Sequence, residues 1–145
     1  MSSYLYFYAK NKDGNDFIRL GEFSRSSVLY GAAHCYAPNE KVSVFNQFDT
    51  VLTDLKDILK RYKYDKKCYK EENKMLMKNM ADPEKALELY RDNVQNINDL
   101  NEEIKSVDAA IYFLHFLSDI VYYNNAEIYV GIEIDNPTIE DIKVN

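Results

Sequence analysis

His34, Cys35, Cys68 and His115 are residues that ligate metals or act as nucleophiles, and their spacing argues against a shared site. The first two are adjacent and the others lie far along the chain, so no local chelate such as CxxC or HxxxH exists. No metal is expected, and no cofactor. His115 and Asp119 stand one helical turn apart and have the spacing of an acid/base pair. With no nucleophile beside them, a hydrogen-bonded pair on a helix face is the simpler reading. Glu133, Asp135, Glu140 and Asp141 cluster in sequence, but their spacing fits no EF-hand loop.

A better-placed ligand cluster is Ser24, Arg25, Ser26 and Ser27 ahead of a short helix. Hydroxyls, a guanidinium and free backbone N–H groups would converge there, where an anion is favoured. Arg19, Tyr30 and His34 could stand nearby. No glycine-rich loop or P-loop lysine accompanies them, so plain helix capping competes with anion binding.

The run from Lys60 to Lys70 interleaves cations with Tyr62, Tyr64 and Tyr69, as nucleic-acid surfaces often do. The chain as a whole carries 24 Asp+Glu against 18 Lys+Arg, a net charge of −6, which disfavours nucleic acid as a partner.

These residues must be positioned by a chain of 145 residues that is 46% hydrophobic, enough for one core and too apolar for a disordered protein. No stretch approaches the roughly 20 apolar residues of a membrane span. The start, MSSYLYFYAK, lacks the layout of a secretory signal, so the cytoplasm is the expected compartment and the two cysteines are expected to be reduced. Only four glycines and three prolines punctuate the chain, which favours long regular elements.

Tyr4 to Ala9 and Phe17 to Phe23 read as a hairpin around Asp13-Gly14, although both alternate imperfectly. Val28 to Tyr36 reads as a short helix stopped by Pro38, and Lys41 to Phe45 as a third strand. Glu127 to Asp135 alternates strictly and is the clearest strand. Thr138 to Val144 reads as a short terminal helix or an extended docking tail.

Between these segments lie two long helices. The first, from Gln47 to about Met80, repeats apolar residues at Phe48, Leu52, Leu55, Leu59, Tyr62, Tyr69 and Leu76, interrupted by Lys66 and Asn73. Asp82-Pro83 then caps and opens a second helix reaching Tyr123. Its seam runs Leu87, Tyr90, Val94, Ile97, Leu100, Ile104, Val107, Ile111 and Leu114, with a stammer at Val94 to Leu100.

The short turn forces an antiparallel return that would face Phe48 with Leu114, Leu52 with Ile111, Tyr62 with Leu100, Tyr69 with Val94 and Leu76 with Leu87. Residues 56–78 hold nine Lys/Arg and four Asp/Glu, and residues 82–108 hold three and eight, so the arms carry opposite charge.

The expected fold is α+β and a single domain over 1–145. Residues 1–46 and 124–145 form a small antiparallel β-sheet head, from an N-terminal hairpin and a C-terminal strand, with a short helix. Residues 47–123 form a long antiparallel two-helix coiled-coil hairpin.

Two helices cannot bury their apolar stripes as well as three or four can. The expected function is therefore non-catalytic: a protein-protein interaction or assembly protein that self-associates into a homo-oligomer through those stripes. The partner-facing residues would be Val51, Ile58, Phe113 and Phe116, with Met75, Met77 and Met80 at the tip. Two alternatives stand beside it. One is an anion or nucleotide-phosphate sensor at Ser24–Ser27. The other is an acidic inhibitor of a nucleic-acid enzyme, of the kind that viruses of bacteria encode as small accessory proteins.

Overall fold

The computed structural model describes residues 3–79 and 81–144. In chain order they form strands β1 (Tyr4–Asn11) and β2 (Ile18–Ser24), and helix α1 (Val28–Ala33) with a 3-10 turn at His34–Tyr36. There follow the two-residue strand β3 (Ser43–Val44), helices α2 (Phe48–Lys78) and α3 (Pro83–Tyr123), strand β4 (Ala126–Ile132) and a 3-10 turn at Ile139–Asp141. The α+β class is as expected: one four-stranded antiparallel sheet, ordered β2-β1-β4-β3, and two long helices that pack together. The chain divides into two compact units, residues 1–55 with 109–145, and residues 56–108.

In the first unit β1 is an inner strand, paired with β2 on one side and β4 on the other. Its imperfect alternation has a simple cause, because both of its faces are buried. Leu5, Phe7 and Ala9 face one way, into a core that includes Leu29, Phe45, Val51, Leu114, Leu117, Ile128 and Val130. Phe7 is the hub of that core, edge-on to Phe23, Phe45 and Phe113 at centroid separations of 5.4–5.9 Å.

Tyr8 and Lys10 face the other way. There Tyr8 and Tyr129 join Val42 and Ile134 in a second cluster, edged by Tyr6, Phe17 and Ile142. β4 stops at Ile132 instead of reaching Asp135, because Glu133 and Asn136 take left-handed backbone conformations (φ 56° and 58°) that turn the chain back over the sheet. Ile134 is thereby tucked into the second cluster, and the Tyr8 hydroxyl donates to its carbonyl. The tail carries both expected forms, a 3-10 turn at Ile139–Asp141 followed by Ile142 bridged to Val42.

Two residues carry this arrangement. Gly131 leaves room for the chain crossing above it, since a Cβ there would lie 2.3 Å from the Lys41 carbonyl oxygen and 2.6 Å from Ile134 Cγ2. Lys10 is buried, and its ammonium donates at 2.9 Å to the carbonyls of Asn11 and Gly14, holding the β1–β2 loop shut. Its stem lies beside Tyr129, with Nζ 5.9 Å from the ring centroid.

The second unit corrects the expected seam. Asn73 of α2 and Asn93 of α3 are buried, and the Asn93 amide donates to the Asn73 carbonyl oxygen at 2.9 Å. Stepping by heptads from that pair sets Tyr69 across from Ile97, Lys66 across from Leu100, and Tyr62 across from Ile104. The pairings of Tyr69 with Val94, Leu76 with Leu87 and Tyr62 with Leu100 are therefore displaced by about one turn. Ala86 and Asn93 are the buried positions in the first half of α3, while Leu87, Tyr90 and Val94 are exposed. With Asn93 in the seam the heptad 86, 93, 100, 107 is unbroken, and the stammer disappears. The cause is polar: two amides that satisfy each other hold the register against the more apolar choice next door. Asp82 caps α3 as expected, accepting from the Lys85 amide at 3.2 Å.

Two stability measurements by urea unfolding follow. Asn93→Leu alone leaves the buried Asn73 amide unpaired and should destabilise by about 1–3 kcal/mol, whereas Asn73→Leu combined with Asn93→Leu should recover that loss. Gly131→Ala should destabilise by about 1–3 kcal/mol, because the atom it collides with is backbone and cannot swing aside.

Candidate interaction surfaces

The serine cluster is organised as a helix cap. Ser27 has extended backbone, and its Oγ accepts from the Tyr30 amide at 3.2 Å while donating to the Ser24 carbonyl at 2.9 Å. Ser24 and Ser26 share a hydroxyl hydrogen bond of 3.0 Å. The hydroxyls expected around an anion are thus engaged with each other and with the backbone. Arg25 is exposed.

Tyr30 is buried and stacks on His34 at 5.5 Å. The His34 Nδ1 lies 3.0 Å from the Tyr30 carbonyl, which can only accept, so Nδ1 carries the proton. Arg19 stands at the other end of β2, opposite Tyr8, whereas Ser24 is opposite Tyr4. It binds Asp135 at 3.1 Å and Glu22 at 3.6 Å, above the Tyr6 ring. Of the seven residues proposed for a ligand, Arg19 stands apart, while the other six lie together around the start of α1 with their serine hydroxyls engaged in capping.

The partner-facing residues also separate. Val51 is fully buried and has no surface to offer, because α2 turns that side into the core of the first unit. Phe113 is half-buried, edge-on to Phe7 and Phe23. Phe116 leans on Phe113 and is half exposed. Ile58 is half-buried, Met75 and Met77 are exposed, and Met80 lies outside the described residues.

Cys35 and Cys68 are free thiols. Among the described residues no group of three His, Cys, Asp or Glu is placed to hold a metal, and neither a hydrogen bond nor an ion pair joins His115 to Asp119. The ion pairs in the second unit, Lys74 with Glu71 and Lys105 with Glu102, lie within single helices. Among the described residues no ion pair joins the two arms, so their opposite charges act there as a field. A depression of about 630 Å³ is lined by Gln95, Asn98, Asp99, Asn101, Glu102, Ile104 and Lys105, all from α3, so it is an open groove along one helix.

Sequence reasoning missed the surface that the seam correction uncovers. Leu87, Tyr90 and Val94 recur at i, i+3 and i+7 on α3 and are 49%, 37% and 38% exposed. Met77 stands one turn beyond Asn73 on α2, on the flank that the antiparallel register shares with Leu87, and is 49% exposed. Leu87, Val94 and Met77 lie beside the seam, whereas Tyr90, one heptad before Ile97, falls within it across from Leu76 and is only partly covered. The residues were visible in the heptad pattern. What hid them as a surface was their assignment to the interior.

No family model, curated protein or solved structure matches the chain.

The second cluster supplies the clearest titration. Burial, then the nearby Asp135 and Tyr6, pushes the Tyr8 hydroxyl up from 10.0 to about 12. Burial, then its hydrogen bond to Glu127, does the same for Tyr129, also to about 12. Below pH 10 both hydroxyls are protonated in the folded and unfolded chain, and their contribution is fully present. Between pH 10 and about 12 the unfolded chain ionises first, so stability should fall across that window and Tyr8→Phe should flatten the fall. An absorbance titration should find a tyrosinate fraction that ionises toward pH 12 and shrinks in Tyr8→Phe.

Proposed function

We propose that this chain works by holding protein and not by catalysis, and that its helical hairpin is the holding surface. The observation that supports this reading is the pair Leu87 and Val94, with Met77 on the same flank, left exposed beside a polar-centred seam in which Tyr90 is itself only partly covered. A two-helix unit with that much apolar side chain outside its seam is stabilised by a further helix laid along it. Methionine and tyrosine suit such a contact, one adaptable and the other large and rigid with a polar tip. The simplest further helix is the same stripe of a second copy, since a two-fold contact asks only that one patch complement itself. The chain is thereby read as an assembly protein.

Sedimentation equilibrium tests this. The wild-type chain should exceed the mass of one 17.0 kDa chain at tens of micromolar, and Leu87→Glu with Val94→Glu should at least halve it without loss of helical circular dichroism. Both substitutions fall at exposed positions, so the fold is expected to survive. A mass unchanged by the pair of glutamates would overturn the reading.

A further inference from the structure

We propose that β2 is a second and separate docking edge, at which two copies of the chain pair antiparallel about a two-fold axis and join their sheets. β2 is the outer strand at one end of the sheet and is seven residues long, whereas β3, at the other end, has two. Among the described residues no strand or bridge lies on the outer side of β2. Ile18, on that edge, is 65% exposed.

The register is set by a bulge. Phe7 is opposite Gly21 and Tyr8 is opposite Arg19, so Leu20 is an extra residue. The bulge places Arg19 and Glu22 on the same face of the sheet as Tyr8 and Tyr6, although they are three residues apart. Ile18 and Phe23, opposite Ala9 and Leu5, share the other face.

A two-fold axis between Leu20 and Gly21 sets Arg19 across from Glu22 of the second copy, twice over, and Ile18 across from its Phe23. Both of these pairs agree in face and in character. Sliding the pairing to set Arg19 against itself, or Glu22 against itself, brings like charges together. Charges and a bulge on an edge strand normally keep other strands away. Here the same guards reject all but the register in which they complement one another.

Arg19 already lies between Glu22 at 3.6 Å and Asp135 at 3.1 Å, with Tyr6 beneath it. Among the described residues Glu22 is held in its own chain only by the longer of these contacts, and it is available to the Arg19 of another copy.

The test separates this contact from the hairpin stripe by using the chain that carries Leu87→Glu and Val94→Glu. In that background the mass should be twice 17.0 kDa. Arg19→Glu alone and Glu22→Arg alone should each reduce it to one chain. An equimolar mixture of those two variants should return to two, because the chains then face each other with opposite charge at both positions. Arg19→Glu combined with Glu22→Arg in one chain should also give two.

Hydrogen exchange gives a second readout that needs no edge variant: β2 amides in the background chain should gain protection as concentration rises. A background chain that stays at one copy with β2 amides unprotected would overturn the proposal, as would single variants that stay paired or a mixture that fails to pair. The hairpin contact is tested independently, by the mass lost on introducing the two glutamates.

Discussion

A short inner strand buried on both faces is the constraint from which the rest of the first unit follows. β1 has Leu5, Phe7 and Ala9 on one side and Tyr8 and Lys10 on the other, and all five are buried. A strand buried on both faces needs a layer above and a layer below. The lower layer is the aromatic core around Phe7. The upper layer is supplied by Lys41 and Val42, just ahead of β3, and by the tail from Ile134 to Ile142, which pack against Tyr8, Tyr129 and Gly131. Because that layer includes main chain packed on main chain, a side chain has to be missing somewhere, and Gly131 is where it is missing. A polar group buried on that side must find a partner, and Lys10 finds the carbonyls of its own loop.

The hairpin shows the complementary case, in which a polar pair outranks apolar area. An unpaired buried amide is expensive, so Asn73 and Asn93 can share the seam only by facing each other. Once they do, the register of the neighbouring turns is settled, and the larger apolar residues one position along are turned outward. The solvated stripe is therefore the other side of a well-satisfied interior, and not a sign of loose packing.

Much of this was legible in the residues. Two long helices around Asp82-Pro83, the N-terminal hairpin, the terminal strand and the capping serine all follow from capping chemistry, turn chemistry and periodicity, and all are present. What was not legible has identifiable causes. Counting apolar residues cannot find a seam position held by asparagine, so Leu87 and Val94 were placed inside. Alternation cannot reveal that both faces of a strand are covered, because the cover over Tyr8 comes from distant segments with no periodicity of their own. Val51 has the pattern of a stripe-widening residue and lies in the core. The serine cluster has the composition of an anion site, and only the hydrogen bonds show its hydroxyls already engaged.

The pairing of β1 with β4 also bears on how the protein comes into being. Leu5 is opposite Ile132 and Asn11 is opposite Ala126, so the middle of the sheet cannot close until both long helices have been synthesised. The helices and the β1–β2 hairpin are local structures that can form within microseconds of leaving the ribosome, whereas the other edge of β1 must wait for β4 from beyond both helices. During that interval β1 presents two uncovered faces and one unpaired edge, the state in which a nascent chain is most open to wrong company and to rescue by chaperones.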